Sequence, residues 1–108
     1  MITCDDGGMS PGVDESVIQL YEEGIASAVS VMSNMTHSRQ AFALYRDYPS
    51  LEIGAHLNLT EGEALTEAMC SSSLVNGTLF KGRSECFVQG LFLTESMRTI
   101  IFDELDAQ

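Results

Sequence analysis

The residue types able to do hydrolytic or metal chemistry fall at three places in the chain. These are Asp5-Asp6, followed by Gly7-Gly8; Asn34; and His56 with Asn58. Adjacent carboxylates on an extended backbone point to opposite sides, so Asp5 and Asp6 are expected to divide the work. One reaches a divalent ion and the other stays free as a general base. A neutral imidazole such as that of His56 and a carboxylate are usual ligands for Zn²⁺ and acceptable ones for other divalent ions. Such an ion lowers the pKa of bound water and polarises a carbonyl. Asn34 and Asn58 add neutral hydrogen-bonding groups and are the candidate substrate-binding residues. Each place also has a plain structural reading. Asp-Asp-Gly-Gly alone is commonly a solvated turn, His56 can be a hydrogen-bonded core histidine, and Asn58 can cap a strand end. The chemical reading therefore depends on whether the fold brings the three places together.

The hydrophobic pattern says that it does. Ile2 to Cys4 reads as a short buried strand ending at Asp5-Asp6-Gly7-Gly8. Ser10-Pro11 opens a helix: serine can cap it, and proline suits the first helical position. Asp14 and Glu15 sit in its first turns, where the helix dipole favours carboxylates. Val13, Val17, Leu20 and Tyr21 form its apolar stripe, and Gly24 ends it. Ile25 to Met32 is a second strand, ending at Ser33-Asn34. Thr36 is the expected cap of a helix carrying Ala41, Phe42 and Tyr45, stopped by Pro49. His37, at that helix start, reads as a surface residue. Leu51 to Leu59 is the third strand, with Ile53, Ala55, Leu57 and Leu59 on one face and Gly54, His56 and Asn58 on the other. Strand, helix, strand, helix, strand is the signature of an α/β fold with a parallel sheet. Ligands collect at the carboxyl ends of such strands, where Asp5, Asp6, Asn34, His56 and Asn58 all fall.

Beyond Leu59 the pattern weakens. Residues 60–73 read as a loop, and Leu74 to Phe80 as a hairpin around Asn76-Gly77. Helices follow near 85–92 and 95–105, the second capped by Thr94, with Phe102 and Leu105 on one face with Met97 or Ile101. With 108 residues the chain has room for one ordinary domain. Five basic residues against sixteen acidic ones give a formal net charge of −11, which repels phosphate backbones and anionic membranes. The expectation is no nucleic acid and no membrane as partner. No run approaches the roughly 18 apolar residues of a bilayer span. No basic leader precedes the first strand, and a cytoplasmic location is expected. Cys4, Cys70 and Cys86 are odd in number and lack CxxC spacing, which argues against a disulfide framework or a zinc knuckle.

Three motifs in order carry a resemblance. Asp5-Asp6-Gly7-Gly8-Met9-Ser10-Pro11 resembles the Asp-Asp-Phe-Gly-Leu-Ser-Pro opening of the YdjC-like (ChbG-type) carbohydrate deacetylases. The stretch from Gly24 to Met35 resembles their second strand. Gly54-Ala55-His56-Leu57-Asn58-Leu59-Thr60-Glu61-Gly62 resembles their Gly-x-His-x-Asn-Leu-Thr-x-Gly segment. The resemblance implies a divergent TIM-barrel-like domain of which residues 1–108 are the amino-terminal portion. It implies amide hydrolysis that removes acetyl groups from N-acetylated amino sugars or chito-oligosaccharides. Carried over by position, Asp5 is the general base, and Asp6 and His56 are ligands of a divalent ion, Mg²⁺ or Zn²⁺. The third ligand is expected in an Asp-x-His-x-His segment past Gln108. Gly7 stands where the family has an aromatic residue, which would remove one wall of the pocket. Three strands alone leave open sheet edges, which could pair in a homo-oligomer. The segment alone is expected to be inactive. The alternative is a truncated, non-catalytic sugar-binding or interaction module.

Overall fold

The computed structural model describes residues 2–90 and 93–108. The chain divides into two compact units, the first ending at His56 and the second beginning at Leu57.

The first unit is an alternating α/β arrangement. Its elements are β1 (Thr3–Gly7), α1 (Pro11–Glu22), β2 (Ala28–Val31), α2 (Ser38–Tyr45) and β3 (Glu52–Ala55). The three strands form one sheet in the order β1-β2-β3, and both pairings are parallel. That agrees with the fold expected from the sequence. The α1 boundaries follow local chemistry. Ser10 Oγ accepts the Val13 N–H at 3.4 Å, and Pro11 occupies the first turn. At the other end Ile25 N–H donates to Leu20 O and Gly24 N–H to Tyr21 O, both at 2.9 Å. These paired bonds close the helix around a left-handed glycine, Gly24, at φ 72°.

Helices α1 and α2 cover the sheet with Val17, Ile18, Ala41 and Tyr45, which pack with Val29, Val31 and Leu51. One polar group is built into this layer. Asp14 is 1% exposed, and its Oδ1 accepts from Gly8 N–H at 2.9 Å and from the Tyr45 hydroxyl. His37 Nε2 lies 3.3 Å from the other oxygen, Oδ2. The carboxylate expected to serve the helix dipole thus ties α1 to α2 and to the turn after β1. His37, expected at the surface, has a side chain only 24% exposed and turned toward Asp14. It occupies the cap position of α2 without a side-chain cap bond, where Thr36 was expected. Burial, assisted by the hydrogen bond to Asp14, pushes the Tyr45 phenol well above its usual range, so it stays a neutral donor.

β3 is shorter than its alternating sequence suggests. It ends at Ala55, and all four of its residues are exposed. Ile53 is 42% and Leu57 53% exposed, so this apolar stripe lies open. β3 is also an edge strand, paired to β2 on one side only.

The second unit contains α3 (Glu67–Cys70), β4 (Val75–Asn76), β5 (Leu79–Phe80), α4 (Arg83–Gly90) and α5 (Glu95–Ala107). The hairpin expected at Asn76-Gly77 is present, with Gly77 at φ 69°. The stretch expected as a plain loop holds α3, capped by Thr66 Oγ1, which accepts Met69 N–H at 3.2 Å. Residues 91 and 92 of the expected 85–92 helix lie outside the described residues. Thr94 caps α5 as expected, at 3.3 Å from Met97 N. Met97, Ile100 and Ile101 pack on a small core of Ala64, Met69, Leu74, Val75 and Phe80, whereas Phe102 is 78% exposed. The face of α5 also carries a buried acid. Glu104 accepts Leu65 N–H at 2.8 Å, Thr66 N–H at 2.9 Å and Thr66 Oγ1–H at 2.9 Å. A fully bonded carboxylate can replace a hydrophobic residue at such a position, which is why apolar spacing did not find it.

Tyr45→Phe is expected to destabilise the protein by about 1–3 kcal/mol, because it strips a donor from a buried carboxylate while keeping the ring. A urea unfolding midpoint at the parent value would contradict this role for the Asp14 hub.

Candidate active site at the strand ends

β1 does not run out as a regular strand. Cys4 pairs with Val29 and Gly7 with Val31, so three steps on β1 match two on β2. The extra residue forms a β-bulge, and within it Asp6 takes a left-handed conformation, φ 63°. Asp6 is the only residue other than glycine with positive φ among those described. The bulge also changes which way side chains face. Cys4 packs against the core, and a Cβ at Gly7 would point at Val29 Cγ2, 2.9 Å away, and Val31 Cγ2, 3.1 Å away. Residues three apart on a regular strand face opposite sides. Here both face the core, and Asp5 and Asp6 are left together at the strand end. The alternation expected from an extended backbone does not hold.

The same measurement corrects the expectation for Gly7. Its missing side chain points between Val29 and Val31, not toward the carboxylates, so its absence removes no wall from the site. Gly8 is required for a different reason. It has φ 83°, and a Cβ there would lie 3.1 Å from Ser38 Cα and 3.3 Å from Met32 O. Its N–H is the one held by Asp14.

His56 follows β3. Its backbone N–H donates to Val31 O at 2.9 Å, carrying the ladder one step past the strand. Its side chain, 30% exposed, meets the bulge. Asp6 N–H donates to His56 Nδ1 at 3.3 Å, which requires that nitrogen to be unprotonated. Asp6 Oδ1 lies 3.6 Å from the same nitrogen. Ser30, in the central strand, completes the cluster. Its Oγ donates to Asp5 Oδ1 at 2.7 Å and stands 3.3 Å from His56 Nδ1. Three parallel strands thus each deliver a group to one spot: Asp5 and Asp6 from β1, Ser30 from β2 and His56 from the end of β3.

Of the five residues singled out in the sequence, the structure brings together Asp5, Asp6 and His56. Asn34 is buried, 4% exposed, just after β2. Asn58 belongs to the second unit. Its Oδ1 accepts Thr60 N–H at 2.9 Å and Glu61 N–H at 3.1 Å, and its Nδ2 donates to Glu61 O at 2.7 Å. Its backbone N–H and C=O are bracketed by the Gln108 amide at 2.8 and 2.7 Å. Ser30 is the member that motif reasoning missed. A serine inside a Val- and Ala-rich strand gives no signal of its own; the clue is its register beside a residue-poor partner, Gly54.

The donor set suits a divalent cation. His56 Nδ1 and Asp6 Oδ1, 3.6 Å apart, are close enough for both to touch an ion ligated at about 2.0–2.2 Å once Nδ1 gives up the Asp6 N–H. Both side chains are accessible, with Asp6 50% exposed, and the chain's charge of −11 favours a cation. Among the described residues no group of three or more His, Cys, Asp or Glu side chains is arranged to enclose an ion. Asp6 and His56 thus offer two candidate donors, with the Asp5 carboxylate beside them, held by Ser30.

A parallel α/β sheet whose strand ends gather two carboxylates and an imidazole is a frame for hydrolytic or metal chemistry. Comparison with known proteins narrows that class. The chain belongs to the YdjC-like protein family, whose profile matches residues 1–108. A carbohydrate deacetylase of Vibrio parahaemolyticus is 30% identical over 109 residues, covering 100% of this chain and 41% of that protein. A chitooligosaccharide deacetylase of Serratia marcescens is 40% identical over 65 residues, 60% of this chain and 26% of that one. A crystal structure of an Enterococcus faecalis protein named for cellobiose-phosphate cleavage superposes on the whole chain with a TM-score of 0.83 at 24% identity, covering 41% of that protein. The fold is therefore shared. The chain spans from about a quarter to two fifths of the length of these relatives. No described helix is long and apolar enough to cross a membrane.

The left-handed Asp6 gives a direct test of the bulge. Asp6→Gly is expected to keep or raise the melting temperature, since glycine adopts positive φ freely. Asp6→Val is expected to lower stability by about 1–2 kcal/mol. Equal melting temperatures for the two variants would contradict a left-handed residue at this position.

Proposed function

We propose that this chain carries the general base and two metal ligands of a metal-dependent deacetylase acting on N-acetylated amino sugars or chito-oligosaccharides. The observation that carries the reading is the meeting of Asp5, Asp6 and His56 at one end of the parallel sheet, with Asp6 Oδ1 and His56 Nδ1 3.6 Å apart. The names of the Vibrio and Serratia relatives support the substrate class.

Asp6 and His56 would hold the ion, Mg²⁺ or Zn²⁺. When bound it supplies Lewis-acid polarisation of the acetyl carbonyl and makes water a better nucleophile near neutral pH. The rest is the work of the chain's own groups. Asp5 is the base. One of its oxygens is held by Ser30, and the other is free to take a proton from the attacking water. As the water oxygen bonds to the acetyl carbon, the C–N bond breaks and acetate and the free amine separate. One proton leaves the water and one joins the departing nitrogen, so amide hydrolysis balances without an outside acid. His56 Nδ1 accepts the Asp6 N–H and would exchange that bond for the ion on binding, because its one lone pair serves a single partner. Asn34 and Asn58 are proposed as substrate-binding residues; the Asn58 side chain would act by shaping the 58–61 turn that it bonds.

The test is acetate release from N,N′-diacetylchitobiose by the complete protein. Asp5→Asn, Asp6→Ala and His56→Ala are each expected to lower kcat/KM by at least about 100-fold while the far-ultraviolet circular dichroism stays unchanged. Dialysis against a chelator is expected to remove activity and added divalent ion to restore it. Full activity in either ligand variant would overturn the assignment. Sugar binding that persists without acetate release in the parent protein would favour a binding module.

A further inference from the structure

We propose that Ser30 is a positioning residue for Asp5: its hydroxyl fixes one carboxylate oxygen and leaves the other to accept the proton. The inference deepens the deacetylase reading and rests on Asp5 being the base.

Ser30 lies on β2, the central strand, between β1 with its two carboxylates and β3, which His56 follows. Across the ladder it pairs with Gly54, which brings no side chain. Its Oγ therefore has two neighbours to serve, Asp5 Oδ1 at 2.7 Å and His56 Nδ1 at 3.3 Å. A serine hydroxyl has one proton to give. Distance favours Asp5, and so does charge, because a bond to a carboxylate is the stronger kind. The imidazole nitrogen, for its part, already faces the Asp6 N–H. The Ser30 proton is thus committed to Asp5 Oδ1.

The consequence is an asymmetry in the base. A carboxylate that turns freely about its terminal torsion presents two equivalent oxygens in a broad range of directions. Asp5 is exposed and lies on a bulged backbone. The Ser30 bond supplies a restraint. It anchors Oδ1 toward the sheet and leaves Oδ2 as the proton acceptor. Placement of a catalytic group within a fraction of an ångström is worth a large factor in rate, so losing the anchor should be felt in turnover rather than in binding.

The test uses the complete protein and compares Ser30→Ala, Ser30→Thr, Asp5→Asn and the double variant Ser30→Ala/Asp5→Asn. The readouts are kcat and KM for acetate release, divalent-ion affinity by calorimetry, and melting temperature. Ser30→Ala is expected to lower kcat about 10–100-fold, the scale of a hydrogen bond to a charged group, with KM and ion affinity unchanged. Ser30→Thr keeps the hydroxyl on a side chain suited to a strand and is expected to restore kcat. In the Asp5→Asn background the alanine substitution is expected to have no further effect. Ser30→Cys, nearly isosteric with a weak donor, gives the same comparison if alanine lowers the melting temperature. The proposal is overturned if Ser30→Ala turns over at the parent rate, if threonine fails to restore it, or if the loss tracks ion affinity. An Asp5→Asn variant with parent activity would instead overturn the base assignment itself, which keeps the two failures apart.

Discussion

The site depends on one departure from regular structure, the bulge that turns Asp6 left-handed at the end of β1. A regular strand would send Asp5 and Asp6 to opposite faces, one of them into the apolar layer of Val17, Val29 and Val31. The bulge absorbs one residue and returns Gly7 to the core side. Both carboxylates are then free at the strand end. A non-glycine residue in this conformation costs about 1 kcal/mol or more, so it persists only where surroundings fix it. Here the fixing comes from both sides. In front, Asp6 N–H meets His56 Nδ1 at 3.3 Å. Behind, Asp14 holds the Gly8 N–H at 2.9 Å.

Asp14 is the link between core and chemistry. A carboxylate 1% exposed is tolerable only with partners, and its partners come from three segments: Gly8 in the turn, Tyr45 on α2, and His37 before it. The same group that joins the two helices therefore also holds the turn that follows the candidate site residues. Packing and site geometry are coupled through one buried side chain. The close approach of Gly8 to Ser38 and Met32 belongs to this arrangement, because a side chain there would force the turn away from α2.

Much of the first unit was legible in the sequence because its signals are local and strong. Ser10-Pro11 and Gly24 marked both ends of α1, and two apolar runs spaced by a helix marked a parallel sheet. The meeting of Asp5, Asp6 and His56 followed from the rule that parallel strands deliver their carboxyl ends to one side. What was not legible depends on contacts distant in sequence. Asp14 looked like a first-turn acid because its partners Tyr45 and His37 lie more than twenty residues away. His37 looked like surface for the same reason. Ser30 carries no motif, and only the register of β2 against its neighbours reveals it. The bulge was invisible because no residue type in Asp-Asp-Gly-Gly specifies which member leaves the strand. In the second unit Glu104 interrupts an apolar face that spacing alone would fill with leucine or isoleucine. The alternation in β3 shows which residues share a face, not whether anything covers them.

The central claim is that Asp6 and His56, brought within 3.6 Å by the bulge, hold one divalent ion between them. Calorimetric titration of Zn²⁺ into the complete, chelator-treated protein tests it most directly, with Asp6→Ala and His56→Ala run beside the parent. The account predicts a one-to-one site in the parent and affinity reduced by at least about ten-fold in each variant. Equal Zn²⁺ affinity in the parent and both variants would contradict it.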